Sequence, residues 1–389
     1  MLEHRTVLSR AFNRFFESEK SSGIFLILCT AISLVIANSM LGAAYLDFWH
    51  SSVGGMSIEH WVNDGLMAVF FLFVGLELER ELYSGELSSF KNALLPILAA
   101  CGGIAVPALI HFALNAGTPT QPGMGIPMAT DIAFALGALA LLGSRIPASL
   151  KVFLTALAVM DDLGAIVVIA VFYSTQFSLG YLLAALAVFG LLVVLNAVFR
   201  VMSLLPYLLG GAVMWVLMLK SGVHATIAGV LLAFAIPFSP VPEDQESPSH
   251  RLEYFLHRPV AFLILPVFAL ANTAIVIADG WQSALLSANS LGIISGLVLG
   301  KPLGIVLFSL LAVSIGWCRL PGDLKWPHLL GAGMLGGIGF TMSIFIANLA
   351  FTGQPEVIDA SKMAIMLASL AAGGLGYLSL KIFSRPAKA

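Results

Sequence analysis

Charge is what this chain has least of. Asp, Glu, Lys and Arg together supply 10% of its 389 residues, where soluble domains carry about a quarter, so an ordinary solvated globular domain is excluded. Neither sign is in surplus. The 19 basic and 21 acidic residues leave a net charge of -2, and the cations form no stripe along one face, which removes nucleic acid as a partner. Cysteine is scarce as well: Cys29, Cys101 and Cys318 are odd in number, far apart and set among apolar residues. They read as packed free thiols, with no disulfide framework and no metal site. A phosphate loop is missing too, because the Walker pattern around Lys301 would need Gly where Ser295 stands and Ser or Thr where Pro302 stands. No cofactor is implied.

What the chain has instead is apolar length. At 59% hydrophobic residues and a mean hydropathy of +0.97, it is an all-α polytopic membrane protein embedded in a lipid bilayer. Runs of spanning length fall at about 22–40, 61–79, 93–114, 124–142, 151–173, 179–199, 203–219, 221–237, 259–278, 288–313, 328–351 and 361–383. Twelve spans are expected, the seventh and eighth nearly touching at Leu219 to Gly222, where a single re-entrant element is the alternative. Of the 19 Lys and Arg, sixteen fall in segments on one side of these spans, only Lys220 and Lys362 on the other, and Lys301 inside a span. Because basic residues accumulate on the cytoplasmic side, both termini are expected there. Residues 1–20 mix Arg10, Arg14, Phe12, Phe15 and Phe16 with Glu17 and Glu19, which fits an amphipathic segment on the cytoplasmic surface; a cleaved signal peptide is the rival reading. The longest polar stretch, 239–258, reads as a cytoplasmic loop within a single integral-membrane domain covering 1–389.

Intramembrane ionisable groups are few enough to weigh singly. Asp161 and Asp162 stand in the middle of KVFLTALAVMDDLGAIVVIAVFY (151–173), close to the midplane of a hydrocarbon core about 30 Å thick. One ionised aspartate at a helix centre costs roughly 2.5 to 3.5 kcal/mol, so a doubled one argues for a function that uses it. Lys301, in GLVLGKPLGIVLF, lies near the centre of span ten and needs a carboxylate to offset its desolvation; one of the two aspartates is the obvious partner. Asp131 follows Thr130 just after Gly123, Gly125 and Pro127, which invite a helix break. Span eleven holds five glycines between Gly331 and Gly339, then Thr341 and Ser343. The glycines of either span alone fit close helix packing equally well. Paired as the second members of triplets three to five and ten to twelve, they point to an inverted-repeat transporter with discontinuous helices four and eleven. Asp131 is either a ligand or a cap for the positive end of a half-helix.

Six segments, MAVFFLFVGLELERE (67–81), ATDIAFALG (129–137), ALAVMDDLGAI (156–166), LKSGVHATIAGV (219–230), LGKPLGI (299–305) and GIGFTMSIFIA (337–347), resemble the bacterial NhaA-type sodium/proton antiporters, in family order and over essentially the whole chain. The resemblance implies a twelve-helix inner-membrane fold with helices four and eleven unwound and crossed. It implies exchange of cytoplasmic Na+ or Li+ for external H+, with Asp162 the principal cation and proton carboxylate, Asp161 its neighbour and Lys301 the intramembrane cationic partner. Thr130, Asp131 and Gly339 belong to the crossing. The Asp-Asp doublet is similar to the electrogenic branch of the family, in which more protons than sodium ions move per cycle. Burial and mutual repulsion favour protonated carboxylates, whereas Lys301 and an entering Na+ favour ionised ones, so the two ions compete for one site.

A second set of residues is expected to sense pH. Glu77 and Glu81 share a face at i and i+4 with Arg80 beside them, and Glu253 with Arg251 matches another family segment, though Tyr254 stands where many members have His. A helix end with local ion pairs is the plainer alternative. Asp64 and His224 are assigned to pH response or to structural hydrogen bonds. A homodimer is expected, although the outer loop, Leu41 to His60, is short and has Gly54-Gly55 as its tight turn. A cation channel remains the alternative function. An intramembrane aspartyl protease fits less well, lacking a Gly-x-Gly-Asp motif and any use for Lys301.

Overall fold

In a hydrocarbon solvent every backbone amide must be satisfied within the chain, which makes the helix the simplest spanning element. A computed structural model describes residues 21–173, 177–240, 247–277 and 280–384, and it is helical almost throughout. The expected amphipathic segment 1–20 and part of the expected polar loop, 241–246, lie outside the described residues.

The first helix, α1 (Ser21–Ala37), turns through 113° into α2 (Gly42–His50). A two-residue hairpin follows, β1 (Ser52–Val53) paired antiparallel with β2 (Met56–Ser57). Its turn is Gly54-Gly55 at φ 63° and 90°, the left-handed pair a tight hairpin requires. Among the described residues nine helical stretches are long and apolar enough to span a bilayer: α3 (Ile58–Tyr83), α4 (Phe90–Asn115), the interrupted stretch Gln121–Ala140 ending in α5 (Ile132–Ala140), α6 (Ala148–Phe172), α7 (Leu179–Ala197), α8 (Leu204–Ser221), α10 (Pro248–Asn272), α12 (Ala288–Ser314) and α15 (Pro355–Phe383). Two bent pairs, α1 with α2 and α13 (Trp326–Gly336) with α14 (Phe340–Ala350), raise the total to at most eleven, and α11 (Trp281–Leu285) is a short helix before α12. The chain is therefore a multi-pass membrane protein, with nine to eleven candidate spans among the described residues where twelve are expected.

The expected span that does not appear among these candidates is 221–237. Gly222 at φ 80° ends α8, turns occupy the next residues, and α9 (Ile227–Ala235) has nine residues, about 14 Å of helix and too short to cross alone. Residues 248–258 correct the expected loop: the Ser247 side chain accepts from the His250 amide, Pro248 occupies the first turn, and the helix runs on through Asn272. Cys29 and Cys318 are buried, but Cys101 is exposed, so only two of the three thiols are packed.

The chain resolves into two compact units. The first comprises Met1–Ile32, Lys91–Asp161 and Ile277–Ala389, and so gathers spans three, four and the first half of five with spans ten to twelve. Within it α4 and α12 meet backbone to backbone, for a Cβ on Gly102 or on Gly304 would collide with the carbonyl oxygen of the other. The second comprises Ser33–Phe90 and Asp162–Val276. There α9 lies against α3, with Gly229 facing the Ala68 carbonyl too closely for any side chain. The division of the chain falls between Asp161 and Asp162.

Candidate functional site

The site in the first unit is built on two helix breaks that satisfy each other. Residues Gln121–Met128 wind as a 3-10 helix carrying Pro122 and Pro127. The chain then extends through Ala129 (φ -76°, ψ 151°) and Asp131 (φ -88°, ψ 101°) before α5 begins. In the companion break α13 ends at Gly336 and α14 starts at Phe340, bent by 48°. Interrupting two helices frees carbonyls and amides that lipid cannot satisfy. Here the Asp131 amide donates to the Ile338 carbonyl at 2.6 Å, and the Ser343 hydroxyl donates to the Ile126 carbonyl at 2.7 Å. The Thr130 hydroxyl reaches both the Gly336 carbonyl at 2.8 Å and Asp161 Oδ2 at 2.7 Å; its single proton serves one of them at a time.

Asp131 holds the two half-helices together from their positive ends. Its Oδ1 accepts from the Phe134 amide at 3.2 Å, capping α5, while Oδ2 accepts from the Thr341 amide at 3.1 Å and from the Thr341 hydroxyl. One carboxylate thus caps two helix N-termini, an arrangement in which negative charge is stabilised by both dipoles. Of the two roles open to Asp131, these contacts are those of a cap.

Asp161 and Lys301 are brought together. Lys301 Nζ lies 2.7 Å from Asp161 Oδ2, with both side chains 0% exposed, and the ammonium also donates to the Met128 carbonyl freed by the first break. The lysine stem is walled by glycines: a Cβ on Gly103 would stand 3.6 Å from Lys301 Cε and one on Gly336 3.9 Å away. Immediately before Lys301, residues Gly296–Gly300 form a π-helical turn, whose extra residue rotates the remainder of α12 by about 100° relative to a regular helix. Asp161 Oδ2 is therefore fully engaged, whereas Oδ1 is buried with no hydrogen-bond partner among the described residues. A buried carboxylate oxygen without a donor is costly, and a proton or a cation there would satisfy it. Asp162, 2% exposed, is the next residue on α6 and stands about 100° around its axis. Thirteen residues of α6 precede the pair and ten come after it. Among the described residues no group of three or more His, Cys, Asp or Glu could hold a metal ion, so a cation here would draw on carbonyl and hydroxyl oxygens beside a carboxylate.

The candidates for pH sensing form two further groups, both in the second unit. Arg80 joins Glu77 (3.6 Å), Glu81 (3.2 Å) and Glu253 (2.7 Å), so one guanidinium gathers three of the residues expected to sense pH. Glu79 joins this end unannounced: it is 5% exposed and accepts from the Ser249 hydroxyl at 3.1 Å. Its two-residue offset from Glu77 gave no helical-face signal. Asp64 sits in a π-helical stretch, Trp61–Leu66, paired with His60 at 3.0 Å, and its backbone carbonyl accepts from Trp215 Nε1 at 3.1 Å. His224 stands in the turn before α9. Gly339 is the N-cap residue of α14.

A polytopic helical protein whose interrupted spans enclose a buried Lys-Asp pair belongs to the class of membrane ion transporters. Residues 13–380 match the family model described as Na+/H+ antiporter 1. The chain is 75% identical over 385 residues to the Na(+)/H(+) antiporter NhaA of Dechloromonas aromatica, covering 99% of both chains. It is 59% identical to Na(+)/H(+) antiporter NhaA 1 of Flavobacterium johnsoniae over 96% of this chain and 97% of that one. With the NhaA protein of Vibrio campbellii it shares 50% identity over 96% of each. This chain belongs to the Na+/H+ antiporter 1 family, a family of transporters and not of enzymes.

Proposed function

We propose that this protein exchanges cytoplasmic Na+ or Li+ for external H+ across a bacterial inner membrane, as one integral-membrane transport domain with both termini in the cytoplasm. The observation that carries the reading is Asp161 Oδ1, a buried carboxylate oxygen without a partner among the described residues, beside an engaged Oδ2 and directly before Asp162 in mid-span. In this reading Asp162 is the principal carboxylate for both ions, Asp161 and Lys301 form the balancing pair, and Thr130, Asp131 and Gly339 shape the crossing of two unwound helices in a twelve-span inverted repeat. A protonated site cannot ligate Na+, and a deprotonated site binds it with help from backbone and hydroxyl oxygens, so each ion displaces the other. Exposure of the same site alternately to each side turns that competition into exchange.

Two carboxylates against one lysine support an electrogenic cycle in which more H+ than Na+ moves. The cluster Glu77, Glu81, Glu253 and Arg80, together with Asp64 and His224, supports activation at alkaline pH and a role in pH and sodium homeostasis. The working unit in this reading is a homodimer. In everted vesicles energised to an acidic interior, added Na+ is expected to collapse the pH gradient with saturable, pH-dependent kinetics. In proteoliposomes Asp162→Asn is expected to abolish Na+-dependent proton flux. Full flux in that variant rejects the assignment, and a non-saturating response in the vesicles favours a channel.

A further inference from the structure

Half-helix α14 begins without a cap of its own. Its N-cap residue is Gly339, which offers no side-chain oxygen, and a Cβ there would stand 3.0 Å from Leu297 Cδ2 and closer still to the Ser343 hydroxyl. Ser, Thr, Asp and Asn, the usual N-caps, would therefore fit at that position only if Ser343 and Leu297 moved. The exposed amides are met instead by side chains from two other elements. Asp131 takes the Thr341 amide, and Ser369 of α15, 6% exposed, accepts from the Phe340 amide at 3.2 Å. The cap is split into one anionic and one neutral half. The same break supplies the Gly336 carbonyl to Thr130, whose hydroxyl also reaches Asp161, the side chain with the unpartnered buried oxygen.

We propose that Ser369 is a positioning residue for cation binding: by accepting from the Phe340 amide it fixes the start of α14, and with it the oxygen atoms at the break. This rests on the ion-exchange reading above. Without the hydroxyl, a buried N–H is left unsatisfied and more positive partial charge stands at the helix end beside the site, so a cation binds less well. At one fixed alkaline pH in everted vesicles, Ser369→Ala is expected to raise the KM for Na+ about 3- to 10-fold, the scale of one cap or hydrogen bond, with maximal rate within about twofold. Ser369→Thr keeps the acceptor and is expected to restore the wild-type KM, and Ser369→Cys, a weaker acceptor of similar size, to fall between. Ser379→Ala, on the same helix with a hydroxyl that has no partner among the described residues, serves as the unchanged control. A wild-type KM in Ser369→Ala, or a fall in rate alone, overturns the proposal. If Ser369→Ala does not accumulate in the membrane, the KM of Ser369→Cys decides in the same way. Failure of the wild-type protein to respond to Na+ would instead reject the exchange reading, so the two are distinguishable.

Discussion

A lysine ammonium and an aspartate carboxylate, 2.7 Å apart and fully buried, are stable only together. Desolvation of each ion costs several kcal/mol, and their attraction with the added Met128 and Thr130 contacts offsets it. Lys301→Met removes the cation and leaves an uncompensated carboxylate, so it is expected to destabilise the purified protein by about 3–5 kcal/mol. Asp161→Leu combined with Lys301→Met removes both charges and is expected to recover most of that loss. Thermal unfolding in detergent separates these outcomes; losses that simply add would mean that the pair is not a unit. Both partners were legible in the sequence because a charged residue stands out against an apolar span. Ser369 and Glu79 were not. A serine in a membrane helix carries little cost and so little signal, and Glu79 sits in a charged helix end, LELERE, where only a distant contact from Ser249 gives it a role.

At the level of the element, the interrupted helices depend on caps supplied by other segments. Asp131 accepts from the Phe134 amide of α5 and from both the amide and the hydroxyl of Thr341 in α14. Asp131→Ala uncaps both half-helices and is expected to cost about 1–2 kcal/mol for each. Asp131→Asn has one acceptor oxygen and can cap only one. Amide hydrogen exchange is the direct readout: Phe134 and Thr341 both lose protection in the alanine variant, and only one of them does in the asparagine variant. Equal protection in all three proteins would show that other groups hold the breaks. The breaks themselves were readable from Gly123, Gly125, Pro127 and the glycine run ending at Gly339, because these residues weaken helix whatever surrounds them. Their mutual hydrogen bonds were not, since the partners are about 210 residues apart. Helix α10 departs from the expectation in the other direction. Its first half is polar enough to look like loop, although Ser247-Pro248 is a start signal that the charge of the next residues obscured.

Across the whole molecule the proposed function raises the question of what would drive export of a cation when the outside is alkaline. An exchanger that moves equal charges is powered only by the two concentration gradients, and an inward proton gradient is small or reversed under those conditions. A cycle that returns more protons than the sodium ions it exports also draws on the membrane potential, worth about 2.3 kcal/mol per charge per 100 mV. The proposed site has the means: adjacent carboxylates at mid-span, of which Asp161 is balanced by Lys301 and both are buried. One net charge per cycle has a definite signature. In proteoliposomes whose potential is set by a potassium gradient with valinomycin, the Na+ ratio at which proton flux vanishes is expected to shift about tenfold for every 60 mV or so. Two net charges would shift it about a hundredfold, and strict electroneutral exchange would leave it unmoved at every potential. An unmoved null point would remove the electrogenic reading while leaving the family membership and the Asp161-Lys301 pair intact, because neither depends on how many protons accompany the ion.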